Sequence, residues 1–273
     1  MTAYICVTCG VQYAESESAP AHCVICEVER QYVNAKGQMW TTLSELRTTH
    51  RNRIAGEEPG LTGIGSEPAF AIGQRALLVQ AAGSGEPAGV LWDCISLVDD
   101  ATVKAVWKLG GIRAIAISHP HFYSAMIEWS RAFGGVPVYL HAADRQWVMR
   151  PDPAIHFWEG DTHALGDGLT LIRCGGHFAG STALHWAAGA EGRGALLSSD
   201  TLTVVSDRRY LSFMYSYPNL IPLPKAAIEQ IVRSVEPFAF DRIYGGWFER
   251  VVAEDAKAVV ARSAERYVGA ISR

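Results

Sequence analysis

Short apolar bursts separated by turn residues dominate the middle of the chain. Phe70–Ile72, Arg75–Gln80 and Gly89–Trp92 read as short strands, with turns expected at Gly73 and over Gly83–Pro87. The periodicity then changes. Asp99–Leu109 begins beside two acids and stops at Gly110-Gly111, the pattern of a helix. Ile112–Ile117 is a largely apolar run of strand length, Ser124–Phe133 reads as a helix ended by Gly134-Gly135, and Val136–Leu140 as another strand. Alternation of this kind predicts helices covering a sheet.

The second half repeats the theme in antiparallel style. Leu169–Cys174, Ser181–Trp186 and Gly194–Ser198 read as strands, and residues 201–224 as a long irregular stretch. Pro224 opens a helix to about Val235, Phe240–Tyr244 is a further strand, and a last helix covers roughly Ala253–Val268. Each half can supply one sheet, so the expectation is α/β with two mixed β-sheets faced by helices. Upstream, Gln38 to about Arg53 reads as a short helix capped by Thr42 or Ser44, with Leu43 and Leu46 as its apolar edge. Glu57–Pro68, rich in glycine and proline, reads as a connecting loop.

Cysteine changes the picture at the N-terminus. Cys6-Val-Thr-Cys9 and Cys23-Val-Ile-Cys26 form two C-x2-C pairs separated by thirteen residues. Each pair presents two thiolates from one tight turn, and two such turns complete a tetrahedron around one ion. Gly10 follows the first pair where the chain must turn. Zinc is the simplest occupant, although four sulfurs also accept iron. The alternative is two redox or free-thiol pairs. About thirty residues cannot build a core, so the ion must supply much of the module's folding energy. Four sulfurs leave no open position, which makes the site structural, suited to capping the main domain or a subunit contact. His22, beside Cys23, reads as a bystander, with a replacement ligand as the alternative. The expected organisation is a metal knuckle over 1–36, a helix and linker over 37–68, and a main domain over 69–273.

Charge and hydropathy remove some function classes. A formal net charge of -4 provides no footprint for a phosphate backbone, so nucleic acid is not expected as a partner. No run of eighteen apolar residues predicts a membrane span. The opening MTAYICVTCG has neither the basic start nor the apolar segment of a signal peptide, and the expected location is cytoplasmic.

Four polar side chains stand at the ends of predicted strands: His119, His121, His177 and Asp200. Strand ends aim loop residues into a shared crevice without burying unpaired charge. In H-x-H an extended backbone puts both imidazoles on one side. His177 follows two glycines, and Asp200 follows Ser198 and Ser199, whose hydroxyls could orient it. Three imidazoles and a carboxylate suit Zn2+ and also Fe2+; the alternative is histidines hydrogen-bonded to loop carbonyls.

The segments GVLWDCISL, IRAIAISHPHFYS, LGDGLTLIRCGGHFAGS and ALLSSDTLTV resemble, in that order, the successive signatures of the metallo-β-lactamase fold superfamily. The resemblance covers about residues 69–250. It implies an αββα four-layer sandwich, with the metal site in the cleft between the sheets and the 225–235 helix outside a sheet. The N-terminal module is similar to rubredoxin and zinc-ribbon knuckles. Against the family's H-x-H-x-D-H, His119 and His121 match the first two histidines, whereas Tyr123 and Ser124 stand where Asp and the third His are expected. His177 and Asp200 match the next histidine and the bridging carboxylate. The late histidine should fall in IYGGWFER, where Gly246 or Trp247 stands. One ion, not two, is what the resemblance implies.

A single zinc or iron ion still acidifies a water and polarises a carbonyl or phosphoryl oxygen. Asp200 is the expected water-orienting group if it leaves the ligand set, and the Tyr123 phenol a donor to a developing oxyanion. The expected activity is hydrolysis of a small ester, lactone or thioester. Two alternatives stay open: a catalytically silent metal- or ligand-binding protein, and a mononuclear Fe(II) oxygenase like the family's persulfide dioxygenase branch. Trp247, Phe248 and Tyr215 are the expected wall of a small-molecule pocket, with packing of a sheet or a homodimer contact as the alternative. Asp93 reads either as support for a ligand histidine or as a turn residue. Cys94 and Cys174 read as buried core thiols.

Overall fold

Strands Arg51–Glu58, Leu61–Glu67, Arg75–Val79, Gly89–Trp92, Ile112–Ala116, Val138–His141 and Ile155–Trp158 lie side by side in chain order as one seven-stranded sheet. This computed structural model describes residues 1–80 and 89–273, so the turn expected over Gly83–Pro87 falls outside the described residues. The chain divides into two compact units, Met1–Leu140 with Arg145–Phe157, and His141–Asp144 with Trp158–Arg273.

In the first unit the sheet changes direction where helices enter the sequence. The strands before Gly89 pair antiparallel, whereas Gly89–Trp92, Ile112–Ala116 and Val138–His141 run parallel. Parallel neighbours need a crossover, and helices Asp100–Lys108 and Met126–Ala132 supply the two. Asp99 caps the first of them, accepting from the Thr102 N–H at 2.7 Å. His119 and His121 therefore emerge beyond the C-terminal end of a parallel strand, where open α/β sheets bind ligands.

Three upstream expectations are corrected. Residues expected to form a loop over 57–68 include the strand Leu61–Glu67, paired on one side with Arg51–Glu58 and on the other with Arg75–Val79. Its glycines read as punctuation locally, but ladder hydrogen bonds on both sides outweigh that propensity. The expected helix is shorter, Leu43–Thr49, with Thr42 and Glu45 forming a reciprocal capping box. Phe70–Ile72 forms no strand; Phe70 instead packs on a small core of Ile5, Leu46 and Leu97 that joins the cysteine module to its unit.

The second unit holds a six-stranded sheet in the order Thr162–Gly166, Leu169–Arg173, Thr182–Trp186, Ala195–Leu197, Arg242–Tyr244, Val251–Val252. Its one parallel pair, Ala195–Leu197 with Arg242–Tyr244, is bridged by helix Lys225–Val235. That helix buries Ile228, Ile231 and Val235, spaced on one face, against Ile172, Ala183, Leu196 and Ile243 of the sheet. Helix Ala256–Ile271 adds Val259 and Val260 to the same core. The fold class is as expected: α/β, two mixed sheets flanked by helices, and an N-terminal four-cysteine knuckle. Among the described residues no helix is long and apolar enough to cross a membrane.

Candidate functional site

The described residues include a buried donor set with the composition of a metal centre, Cys6, Cys9, Cys23 and Cys26, and further buried donors in each unit: His119 and His121 in the first, His177 and Asp200 in the second.

The cysteine set is built from two tight turns. Gly10 closes the first, its N–H donating to Cys6 O at 2.8 Å with a left-handed φ of +82° that suits glycine. In the second, the N–H groups of Cys26 and Glu27 donate to Cys23 O at 2.9 and 3.1 Å. The four sulfurs lie within 4.8 Å of one another, and the pairs Cys6–Cys26 and Cys9–Cys23 are each 3.6 Å apart. A tetrahedral ion with metal–sulfur bonds of about 2.3 Å needs sulfurs about 3.8 Å apart. The set fits. Burial pushes the Cys9 thiol well up, while contact with Cys23 pulls Cys6 down. The Tyr13 hydroxyl donates to Cys23 Sγ and Gln38 Nε2 to Cys6 Sγ, both at 3.3 Å. Such bonds favour sulfur in its thiolate form. His22 is exposed and pairs with Glu27, outside the sulfur set.

In the first unit, His119 sits on extended backbone at φ −169°, and Pro120–Phe122 then forms a 3-10 turn. The expected flat alternation of H-x-H is therefore interrupted, yet the two rings still meet edge to face with centroids 5.3 Å apart. Ser118 Oγ donates to Asp93 Oδ1 at 2.7 Å, and the Ser118 N–H donates to the same oxygen at 2.8 Å. Ser118 Oγ lies 2.9 Å from His119 Nδ1. With its proton committed to Asp93, the hydroxyl accepts from Nδ1–H, which fixes the tautomer that bares Nε2. Nε2 of His119 and of His121 are buried and take no part in a hydrogen bond among the described residues. Asp93 thus supports a histidine rather than merely turning the chain, and it does so with a left-handed φ of 63°. The relay through Ser118 was not foreseen.

In the second unit, His177 Nδ1 lies 2.9 Å from Tyr215 O and 3.3 Å from Met214 O. Carbonyls only accept, so Nδ1 carries the proton and Nε2 is the unprotonated nitrogen. His177 Nε2 and Asp200 Oδ2 are 3.9 Å apart. That is too long for a hydrogen bond but within the span of about 4.2 Å open to two atoms each about 2.1 Å from one ion. Tyr217 donates to Asp200 O at 2.9 Å, hydrogen-bonds Thr203 Oγ1, and sets its ring edge-on to His177 at 5.7 Å. Burial, then the Asp200 charge, pushes its phenol well up. Ser198 turns away from Asp200, donating to Leu202 O at 2.7 Å.

Of the remaining candidates, Tyr123 belongs to the first unit, and Tyr215, Trp247 and Phe248 to the second. Tyr123 is buried and shares a tight crevice with Val11, Gln12 and Ser124. The Tyr215 ring packs on the second unit's apolar core while its carbonyl holds His177. Trp247 and Phe248 are half-buried in the loop after Tyr244, where Gly245 N–H donates to Arg250 O at 2.8 Å. Cys174 lies in the same core, its thiol pushed up to about 12 by burial, and Cys94 is likewise raised by burial and by Asp93. Both are core thiols.

The uncharacterized protein YmaE of Bacillus subtilis (strain 168) is 49% identical to this chain over 274 residues, spanning 100% of this chain and 98% of that protein. The chain belongs to the YmaE family. No family model matches it. The fold of this YmaE-family chain is that of metallo-β-lactamases. VMB-1 superposes with a TM-score of 0.59 at 12% identity, over 82% of this chain and 99% of that one. FIM-1 from Pseudomonas aeruginosa, in a mono-zinc form, gives 0.57 at 14% identity, over 79% and 95%. A Cronobacter sakazakii metallo-β-lactamase gives 0.51 at 19% identity, over 81% and 95%.

Proposed function

We propose that this YmaE-family protein is a mononuclear metallohydrolase of a small ester, lactone or thioester. In this reading one zinc or iron ion is held jointly by His119, His121, His177 and Asp200, and a structural zinc by Cys6, Cys9, Cys23 and Cys26. The observation that carries it is the direction of the histidine protons. Ser118 with Asp93 holds Nδ1 of His119, and two carbonyls hold Nδ1 of His177, so both rings offer Nε2 to a cation. Histidines that merely ended strands would gain nothing from a matched tautomer. The mono-zinc form of FIM-1 supports one ion as a viable occupancy of this fold.

The ion, when bound, supplies Lewis acidity and lowers the pKa of a water toward 7. The chain supplies the rest. Tyr217 and Thr203 steady Asp200, whose carboxylate orients the attacking water when it is not a ligand. Tyr123 donates its phenol proton in a hydrogen bond to the developing oxyanion. Tyr215, Trp247 and Phe248 bound the acyl part of the substrate.

Metal content per chain, measured on protein purified without added metal and on H119A/H177A and C6S/C9S variants, tests this. Two ions falling to one in each variant, with hydrolysis of ester, lactone or thioester lost only in H119A/H177A, is the expected result. An ion count untouched by H119A/H177A would leave a protein without metal chemistry at these histidines. Iron lost there, with oxygen consumption in place of hydrolysis, would replace the hydrolase reading by the oxygenase one.

A further inference from the structure

We infer that the four-cysteine centre is a positioning device for the histidine loop: its ion holds Gly10–Gln12 against Ser124, and thereby sets the backbone that carries His121. The metal-affinity arm of this inference rests on the reading of the second donor set given above; its backbone arm does not.

The contacts run in one direction from sulfur to histidine. Gly10 directly follows Cys9, and its carbonyl accepts from Ser96 Oγ at 2.7 Å. The approach is so close that a Cβ on Gly10 would lie 2.7 Å from Ser96 Oγ and 3.8 Å from Ser124 Oγ. Two residues further, the Gln12 N–H donates to Ser124 O at 3.0 Å. Ser124 stands three residues past His121 and holds a left-handed φ of 44°, unfavourable for a residue with a Cβ. Gln74 Nε2 donates to its hydroxyl at 2.9 Å from the other side. A strained residue persists only where its surroundings over-determine it, and here one of those surroundings is the knuckle.

A second tie closes the arrangement. Buried Arg150 hydrogen-bonds the Gln12 side chain and pairs with Glu128 at 2.6 Å, on the helix that follows Ser124; Glu15 lies 3.6 Å away. The Ala14 N–H donates to Met149 O at 3.1 Å. The module cannot hold these positions by burial alone, because its folding depends on the ion. Once the ion is gone, the turn Cys6–Val11 loses its closure. Gln12 then no longer holds Ser124, and the 119–124 backbone relaxes from the conformation that presents His121. Occupancy of the cysteine site therefore strengthens binding at the histidines. Ser124, which stands where the resemblance expects the family's third histidine, is the residue that Gln12 of the module holds.

The test is hydrogen exchange by mass spectrometry on the full chain, with zinc affinity of the histidine set measured by chelator competition. It compares wild type, C6S/C9S, and S96A/R150Q; the last keeps all four cysteines and their ion. Exchange across residues 117–129 rising about tenfold in both variants, with 182–186 unchanged, is expected. Affinity at the histidines should fall by about tenfold in both, while S96A/R150Q retains its cysteine-bound zinc. If C6S/C9S unfolds altogether, S96A/R150Q decides alone. Exchange at 117–129 equal to wild type in S96A/R150Q overturns the inference. Faster exchange in a protein whose histidines hold no ion even in the wild type would sink the proposed function and leave this inference standing.

Discussion

Ser118 places its hydroxyl 2.9 Å from Nδ1 of His119, and the same hydroxyl spends its own proton on Asp93. One small side chain thus decides which nitrogen of a candidate ligand is bare. Replacing it with alanine removes the acceptor for Nδ1–H and frees the ring to rotate or change tautomer. Ser118→Ala should weaken zinc binding at the histidine set by about 10–100-fold and leave the cysteine-bound ion in place. Asp93→Asn is the informative companion. Asparagine tolerates a left-handed backbone and keeps an acceptor oxygen, so its loss of affinity should be smaller. Chelator competition on both variants checks the order; equal affinities throughout would remove Ser118 from the account.

Tyr217 makes a parallel case in the second unit. Its hydroxyl is the donor to Asp200 O, and its ring stands against His177. Tyr217→Phe keeps the ring and strips the hydroxyl that bonds Asp200 O and Thr203 Oγ1, at a cost of about 1–3 kcal/mol. A lower urea midpoint is expected, together with weaker zinc binding. A change in stability without any change in affinity would make Tyr217 a packing residue only.

How much of this was legible beforehand depends on how local each signal is. The cysteine pairs declare themselves within four residues each, and His119, His121, His177 and Asp200 stand at strand ends that hydropathy alone marks out. Their partners are another matter. Ser118 matters because Asp93, twenty-five residues earlier, folds onto it, and nothing in the sequence near Ser118 says so. The aromatic residues of the 201–224 stretch read as a pocket wall, but nothing near Tyr217 in the sequence says that its hydroxyl meets the carbonyl of Asp200, seventeen residues earlier. The strand Leu61–Glu67 was hidden for the opposite reason. Its glycines and flanking prolines are true turn formers, and only ladders on both sides override them.

Acid sensitivity should trace partly to His185. Burial holds it below the ordinary histidine value of 6.5, against the opposing effect of its hydrogen bond to Ala239 O. A lowered folded pKa means that the unfolded chain binds the proton first as pH falls. The contribution to stability is therefore complete above about 6.5 and is lost as pH drops toward the folded value. His141 is shifted the same way by burial. His185→Gln keeps a donor for the carbonyl but cannot titrate, so its urea midpoint should fall less steeply than wild type just below pH 6.5. Parallel curves would assign the acid limb to other groups.

Gly176 joins the histidine turn to the core beneath it. It holds φ +84°, and a Cβ there would lie 2.9 Å from both Ile231 Cδ1 and Leu223 Cδ1. Gly176→Ala pays twice, for a left-handed backbone and for overpacking against the 225–235 helix, about 2–4 kcal/mol in all. Only the second part is relieved by making room. Ile231→Val alone should cost about 0.5–1.5 kcal/mol, yet in combination with Gly176→Ala it should recover part of the loss, giving a double-mutant coupling of the rescuing sign. Because His177 follows directly, zinc affinity should track the same order: wild type above the double variant, and the double variant above Gly176→Ala alone. Strict additivity in the urea midpoints would mean that the glycine is required for backbone conformation only, and that the helix exerts no hold on the turn that aims His177.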